Sequence, residues 1–303
     1  MTDSLCREAG AKWRGGARHV NTAPRAPRNV LSGLPRGGAG WLAFAAFWAL
    51  LFLLAAAELW RPLHQANEEP AGRIPGNVAL GLINAALGAA LPLSTVLPAA
   101  WAARHGIGLF HRIALPAAVV VVATILLRNL ATWLAHRASH ALPLFWRAHR
   151  VHHGDVRLDL STGFRNHPLE LLYVVPWLAG ITVALGLDPA TLAAYEAVAI
   201  GFSLWTHANL RLPPAVDARL RLVLVTPAMH HVHHSSRRAE TDSNYGDVLS
   251  LWDRLFGTYR DLAEPDLRAT RFGLGDDYDS GASNLVRQLR SPFDPSASRR
   301  SQT

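Results

Sequence analysis

Histidines dominate the polar chemistry of this 303-residue chain, and eleven of its fifteen histidines fall between residues 136 and 234. Their spacing is that of helices. His136 and His140 are four residues apart, and two later sets share the spacing i, i+3, i+4: His149, His152 and His153, then His230, His233 and His234. On a helix each set lies on one face, so its imidazoles can converge on a single metal ion.

The number of histidines indicates two ions rather than one. The eight histidines exceed the about four to six ligands that one ion uses. His207 extends the set, and His167 is a further candidate ligand. Imidazole suits iron, zinc and copper, and the spacing alone does not separate these metals. Asp155 and Asp159 lie near the second set, but no Glu-x-x-His pattern repeats, which favours a nitrogen-rich site.

Long apolar segments must position these histidines. Half of the residues are apolar and only 17% are charged, fewer than in a typical soluble domain, so a disordered chain is excluded. The apolar segments are 41–60, 77–101, 113–135, 169–187 and 190–205. We therefore predict an all-α fold, a multi-pass transmembrane helical bundle with a cytosolic histidine-rich helical cap that holds a dimetal site. The net charge of +8 then points to a membrane surface and not to nucleic acid.

The topology leaves two alternatives open. Five full spans that start inside would end outside, yet the segments after residues 136 and 206 are basic, as cytoplasmic segments are. Either 77–101, with its two prolines, is a re-entrant or broken hairpin, or the amino terminus lies outside. We favour the first, because non-helical backbone is tolerated within a membrane where protein buries it. Within the spans, Arg128 and Glu196 are costly charges that we expect to be paired or functional.

Several segments resemble the fatty acid hydroxylase / sterol desaturase superfamily of integral-membrane, histidine-box di-iron oxygenases. They are HRASH at 136–140, WRAHRVHH at 146–153, RNHPLE at 165–170, TPAMHHVHHS at 226–235, NYG at 244–246 and LWDRLFGT at 251–258. One departure is Asn129, where many members carry an acidic residue before the first histidine box. That departure puts in doubt a supporting contact and not the ligands.

The resemblance implies a membrane-bound enzyme with two iron ions. Such enzymes use O2 and two external electrons to hydroxylate, or desaturate, a C–H bond of a lipid such as a fatty acyl chain, sterol or carotenoid. The electrons would come from a separate ferredoxin or cytochrome b5 type protein. The expected metal ligands are His136, His140, His149, His152, His153, His207, His230, His233 and His234. Asn209, Asp242 and Asn244 are expected to support these ligands through hydrogen bonds.

The expected organisation has four parts. Residues 1–40 are a disordered basic tail, 41–112 are amino-terminal transmembrane segments, 113–260 are the catalytic domain, and 261–303 are a polar carboxy-terminal tail. We expect a bacterial inner-membrane location with the site on the cytoplasmic face. Two other functions use the same residues: a zinc-dependent membrane hydrolase, and a non-enzymatic metal-binding membrane protein. A catalytic zinc needs only about three protein ligands, which argues against the hydrolase.

Overall fold

The computed structural model describes residues 38–65, 70–91, 94–275 and 278–298. The predicted basic tail at 1–40 lies almost wholly outside these residues, and so does Pro92. Contacts divide the chain into two units, 1–44 and 45–303, and the nine histidines predicted as metal ligands all lie in the second. The described residues form helices and no β-strand, which confirms the predicted all-α class.

Thirteen α-helices lie in the described residues. Their bounds are α1 Gly38–Trp60, α2 Arg73–Ala90, α3 Val96–His105, α4 Ala117–Ala141, α5 Pro143–His153, α6 Leu171–Leu185, α7 Pro189–His207, α8 Pro214–Leu220, α9 Pro227–His233, α10 Arg238–Thr241, α11 Leu251–Leu255, α12 Glu264–Arg268 and α13 Leu285–Arg290. Short 3-10 helices join them at Leu109–His111, Leu160–Phe164, Pro168–Glu170, Asp279–Gly281, Ser291–Phe293 and Pro295–Ser298.

Three helical segments are long and apolar enough to cross a membrane. They are Trp41–Trp60, Ala117–Ala141 and Pro168–Leu185. The apolar stretch 77–101 is not one span, because α2 ends at Ala90 and α3 begins at Val96. At 1.5 Å per residue, the ten residues of α3 extend about 15 Å, roughly half of a bilayer core. The break fits the predicted broken hairpin better than a continuous span.

Local chemistry explains where the helices of the site begin. Thr226 accepts a hydrogen bond from the Met229 amide and Pro227 follows at the first helical position, so α9 begins as the sequence indicates. Between α6 and α7, Gly186 adopts a positive φ of 69° and Asp188 caps the next helix through the Thr191 amide. This turn lies where the Asp188-Pro189 pair predicts it.

The buried Arg128 of α4 pairs with the half-buried Glu196 of α7. Arg128 donates from Nε and Nη2 to the two carboxylate oxygens of Glu196, at 2.9 and 3.1 Å. Glu196 also accepts a hydrogen bond from Thr95 at 2.7 Å. The two charges therefore satisfy one another inside the apolar bundle, as expected for ionisable groups at that depth.

The segment after residue 260 packs behind the histidine helices. Tyr278, Leu274 and Ala282 form a buried apolar cluster with Trp146 of α5. Leu267 of α12 packs against Val232 of α9 and against Leu63. The segment 261–303 is mostly polar, but a few of its apolar side chains pack against α5 and α9.

Candidate metal centre

Nine buried or half-buried histidines converge in two adjacent clusters. Within each cluster one ring nitrogen per residue lies within 4.8 Å of all the others. The first cluster contains His136, His140, His149, His153 and His233. The second contains His152, His207, His230 and His234. These are the nine residues predicted as ligands.

Helices α5 and α9 each contribute histidines to both clusters. Helix α5 gives the i, i+4 pair His149 and His153 to the first cluster and His152 to the second. Helix α9 and its last turn give the pair His230 and His234 to the second cluster and His233 to the first. Helix α4 adds two ligands to the first cluster, and the last residue of α7 completes the second.

The expectation that each set would serve one ion is therefore wrong in detail. Successive residues of an α-helix are about 100° apart, so His152 and His153 leave α5 in different directions. The pairs at i, i+4 stay together, while the residue next to the pair turns to the neighbouring cluster. The stacked rings of His153 and His234, 4.5 Å between centroids, mark where the clusters meet.

Backbone carbonyls orient four of the rings through Nδ1. His136 donates to the Tyr245 carbonyl at 2.8 Å, and His233 donates to the Ser243 carbonyl at 2.7 Å. In the second cluster, His207 donates to the carbonyl of Ser203 at 2.6 Å. His152 likewise donates to the Arg165 carbonyl at 3.2 Å. A carbonyl can only accept, so each Nδ1 carries the proton and each Nε2 presents a lone pair.

Those lone pairs face one another or face no donor. Nε2 of His207 lies 3.1 Å from Nε2 of His152, and both rings hold their protons on Nδ1. In the first cluster, Nε2 of His136, His149 and His233 is buried with no hydrogen-bond partner among the described residues. Converging lone pairs without a proton between them repel, and a cation relieves that repulsion. The residues present therefore fit two bound metal ions.

Burial keeps these imidazoles in the ligand form. It lowers the pKa of His152, His153, His230 and His234 well below the usual value near 6.5. The pKa of His207 falls to about 4 and that of His233 to about 3, although their backbone acceptors oppose the fall. Neutral imidazoles can bind a metal without first releasing a proton.

Carboxylates orient two further ligands. His149 Nδ1 lies 3.0 Å from Glu170 Oε2, and His140 Nδ1 lies 3.4 Å from Asp242 Oδ1. The contact of Asp242 is the supporting role expected from the sequence. Sequence reasoning assigned no role to Glu170, although its spacing from His167 matches a capping box, which would have pointed to it.

Three other predicted residues lie outside the clusters. His167 Nδ1 accepts a hydrogen bond from the Leu169 amide and its Nε2 donates to the Leu289 carbonyl, so neither nitrogen faces a metal. Asn209 is engaged by the backbone of His64 instead of by a ligand. Asn244 donates to a carbonyl of α9 and to the Arg260 carbonyl, and therefore holds α9 and not an imidazole.

His231, which the sequence analysis does not include among the expected ligands, contacts a histidine from a distant part of the chain. His231 Nδ1 lies 2.9 Å from His64 Nε2, and the two rings stack with their centroids 5.0 Å apart. His231 Nε2 donates to the His207 carbonyl at 3.2 Å. This pair ties the segment after α1 to α9 and to the end of α7.

Asp155 and Asp159, the two aspartates near the second histidine set, form ion pairs and hydrogen bonds outside the histidine clusters. Asp155 accepts hydrogen bonds from Arg73, from Asn77 at 2.8 Å and from Thr162 at 2.8 Å, and Asp159 also pairs with Arg73. Both carboxylates thus face α2 and not a histidine cluster. The centre is nitrogen-rich, as predicted.

Many members of the superfamily carry an acidic residue at the position of Asn129, and here a carboxylate from another segment of the chain lies beside it. Asn129 of α4 donates to Tyr195 at 2.7 Å and to Asp247 Oδ1 at 2.6 Å. A carboxylate therefore lies beside residue 129, although the chain has no acid at that position. It comes from the loop that follows Tyr245, whose carbonyl orients His136.

A cavity of about 250 Å³ opens beside both clusters. His136 and His149 line it from the first cluster, and His152, His207 and His230 line it from the second. Its other lining residues lie on α4, α6 and α7, in the segment 166–170 before α6 and in the loop after Tyr245. They are Thr132, Ala135, Ser139, Asn166, Glu170, Val174, Ala199, Ser203, Thr206, Gly246 and Asp247. A ligand could reach both clusters from here.

Comparison with known proteins places this domain in a family. Residues 121–258 match the family described as fatty acid hydroxylase. Human alkylglycerol monooxygenase is 32% identical over 126 residues, which cover 41% of this chain and 27% of that protein. Ornithine lipid hydroxylase OlsE of Rhizobium tropici is 31% identical over 181 residues, 59% of this chain and 51% of that protein. Fatty acid hydroxylase vlmA of Lecanicillium sp is 32% identical over 148 residues, 44% and 39% respectively.

The chain spans between a quarter and a half of the length of these relatives. No solved structure matches it. The matched segment contains all nine clustered histidines and the cavity residues that surround them. The match of residues 121–258 to the fatty acid hydroxylase family and the similarity to these relatives support the resemblance to the fatty acid hydroxylase / sterol desaturase superfamily.

Proposed function

We propose that this protein is a membrane-bound di-iron oxygenase that uses O2 and external electrons to hydroxylate, or desaturate, a C–H bond of a lipid. The observation that carries the proposal is the convergence of nine histidines in clusters of five and four, with neutral rings whose Nε2 lone pairs meet. A relative is named a monooxygenase and two others are named hydroxylases, which supports this class of reaction.

The residues have separable roles in such a reaction. The two clusters would each hold one iron, and bound iron supplies the oxidising power that an unactivated C–H bond requires. Hydroxylation consumes one O2, two electrons and two protons and yields the alcohol and water. The carbonyls and carboxylates behind the rings fix their orientation, so that the ligands are pre-organised before a metal binds.

The surroundings of the clusters suit a lipid substrate. The cavity is enclosed by α4, α6 and α7, and two of these helices contain segments apolar enough to cross a membrane. A lipid in the bilayer can therefore reach the histidines without crossing water. Electrons would come from a separate ferredoxin or cytochrome b5 type protein, and the location would be a bacterial inner membrane with the site at its cytoplasmic face.

The test is the metal content of the detergent-purified chain, measured by elemental mass spectrometry. We expect about two irons per chain, and a loss of iron in His152→Ala. His105→Ala is the matched control, because His105 is exposed and bonded only to the Trp101 carbonyl of its own helix. A loss of metal in the control as well would contradict the assignment.

The same measurement separates the alternatives. Stoichiometric zinc, with failure of iron reconstitution, would favour a hydrolase that uses a zinc-bound hydroxide. Metal that binds without O2-dependent change in any lipid would favour a non-enzymatic role. Absence of histidine-dependent metal would refute the proposal.

A further inference from the structure

One acidic side chain in the cavity wall is not committed to a histidine. Asp247 lines the cavity, and its Oδ1 accepts hydrogen bonds from Asn129 Nδ2 at 2.6 Å and from the Val248 amide at 2.9 Å. Among the described residues, no hydrogen bond is directed to Oδ2. The carboxylate is thus held through one oxygen while the other remains able to accept.

The residues behind Asp247 fix its direction. Asn129 is completely buried and also contacts the Tyr195 hydroxyl, so its amide cannot turn away. Burial raises the pKa of Asp247 to about 6, while the nearby Arg128 guanidinium lowers it. At pH 8 the group is therefore an ionised carboxylate, which accepts hydrogen bonds and cannot donate them.

The cavity fits one end of a lipid. Its volume of about 250 Å³ is below the ~300–1,000 Å³ of pockets that enclose a drug-sized molecule. Ala135, Val174 and Ala199 are small apolar residues of the lining, and five histidines from both clusters line the same cavity. Whatever group contacts Asp247 therefore lies next to the position at which a C–H bond would react.

We propose that Asp247 accepts a hydrogen bond from a hydroxyl group of the lipid substrate and so determines which lipids are positioned at the histidines. A neutral hydroxyl group donates the one hydrogen bond that Oδ2 remains able to accept. The oxidised carbon then lies near the polar end of the lipid and not in the middle of its chain. This assignment rests on the proposed hydroxylase function for the reaction, but the binding preference itself does not.

The test compares the binding of two ether lipids to the purified full chain in detergent at pH 8. One probe is 1-O-hexadecylglycerol, and the other is hexadecyl propyl ether, which has the same skeleton without hydroxyls. We expect the wild type to bind the hydroxylated probe at least about tenfold more tightly, as for one hydrogen bond to a charged acceptor. Retained radiolabelled lipid, measured across probe mole fractions, gives the ratio.

Asp247→Asn should reduce this preference to less than about twofold. The carboxamide oxygen would accept from Asn129 and its NH2 group would face the cavity, so that an acceptor becomes a donor. Asp261→Asn is the matched control, since it removes an exposed carboxylate paired with Arg221, and it should keep the wild-type ratio.

Equal binding of the two probes by the wild type would overturn the inference, even if the variant failed to fold. A preference that persists in Asp247→Asn would also overturn it. Iron content is measured on the same samples, so absent iron with an intact preference would refute the oxygenase and leave the role of Asp247 standing.

Discussion

Replacing Glu170 by Gln tests whether the groups behind the rings matter for metal binding. The Glu170 carboxylate serves two donors, since Oε2 contacts His149 Nδ1 at 3.0 Å and Oε1 accepts from the His167 amide at 3.2 Å. Glutamine offers one acceptor oxygen and an NH2 group. One donor must then face another donor, and the charge that favours a metal-bound imidazole is lost.

The expected magnitude follows from those two contacts. A hydrogen bond to a charged group contributes about 1.5–3 kcal/mol, which corresponds to roughly 10- to 150-fold in an equilibrium constant. Loss of a carboxylate that supports a ligating histidine lowers metal affinity by about 10–100-fold. We therefore expect Glu170→Gln to release metal to a competing chelator at an about 10–100-fold lower chelator concentration.

The assay is chelator competition on the metal-loaded chain, with bound metal measured after gel filtration. Glu264→Gln is the matched control, because Glu264 pairs with Arg211 on the surface, away from the clusters. A shift of less than about twofold in Glu170→Gln would refute the reasoning. An equal shift in both variants would point to a general change in charge.

Three further predictions concern stability. Asn244→Ala removes three side-chain hydrogen bonds and leaves alanine at a φ of +50°. We therefore expect a loss of roughly 2–4 kcal/mol in the free energy of unfolding, measured by denaturant titration in detergent. Arg128→Met alone leaves the half-buried Glu196 carboxylate without its charged partner and should cost about 1–3 kcal/mol in the free energy of unfolding. Arg128→Met with Glu196→Leu should be less destabilising than the single variant, and a more destabilised double variant would contradict this. The metal-stripped chain should lose stability as the pH falls from about 6.5 toward 4, because unfolded His207 takes up a proton that the folded chain, with a pKa of about 4, does not; a flat pH profile of thermal unfolding would contradict this.

Much of the site was predictable because it follows helical periodicity. The i, i+4 pairs at 136/140, 149/153 and 230/234 stay on one helix face, and the cap at Thr226-Pro227 fixes where α9 begins. The division into clusters was not read from the spacing, although the 100° step between adjacent residues determines it.

The supporting contacts were harder to predict, because most of them are backbone carbonyls. Tyr245 and Ser243 orient rings through atoms that every residue possesses, so their identity carries no signal. Side-chain amides are similarly ambiguous. Asn244 adopts a positive φ in its own turn and donates a hydrogen bond to a carbonyl of α9. Both roles depend on the three-dimensional arrangement and could not be predicted from the residue type.

The exchange of ligands between α5 and α9 has a consequence for how the protein is made. Neither cluster is complete without α9 and the residue that follows it, which are synthesised after α7 and after the three segments that are long and apolar enough to cross a membrane. During synthesis, therefore, the emerging chain presents only part of each cluster, and neither full ligand set exists until residue 234 has left the ribosome. A metal ion that needs the full ligand set of its cluster could therefore bind completely only at a late stage of synthesis.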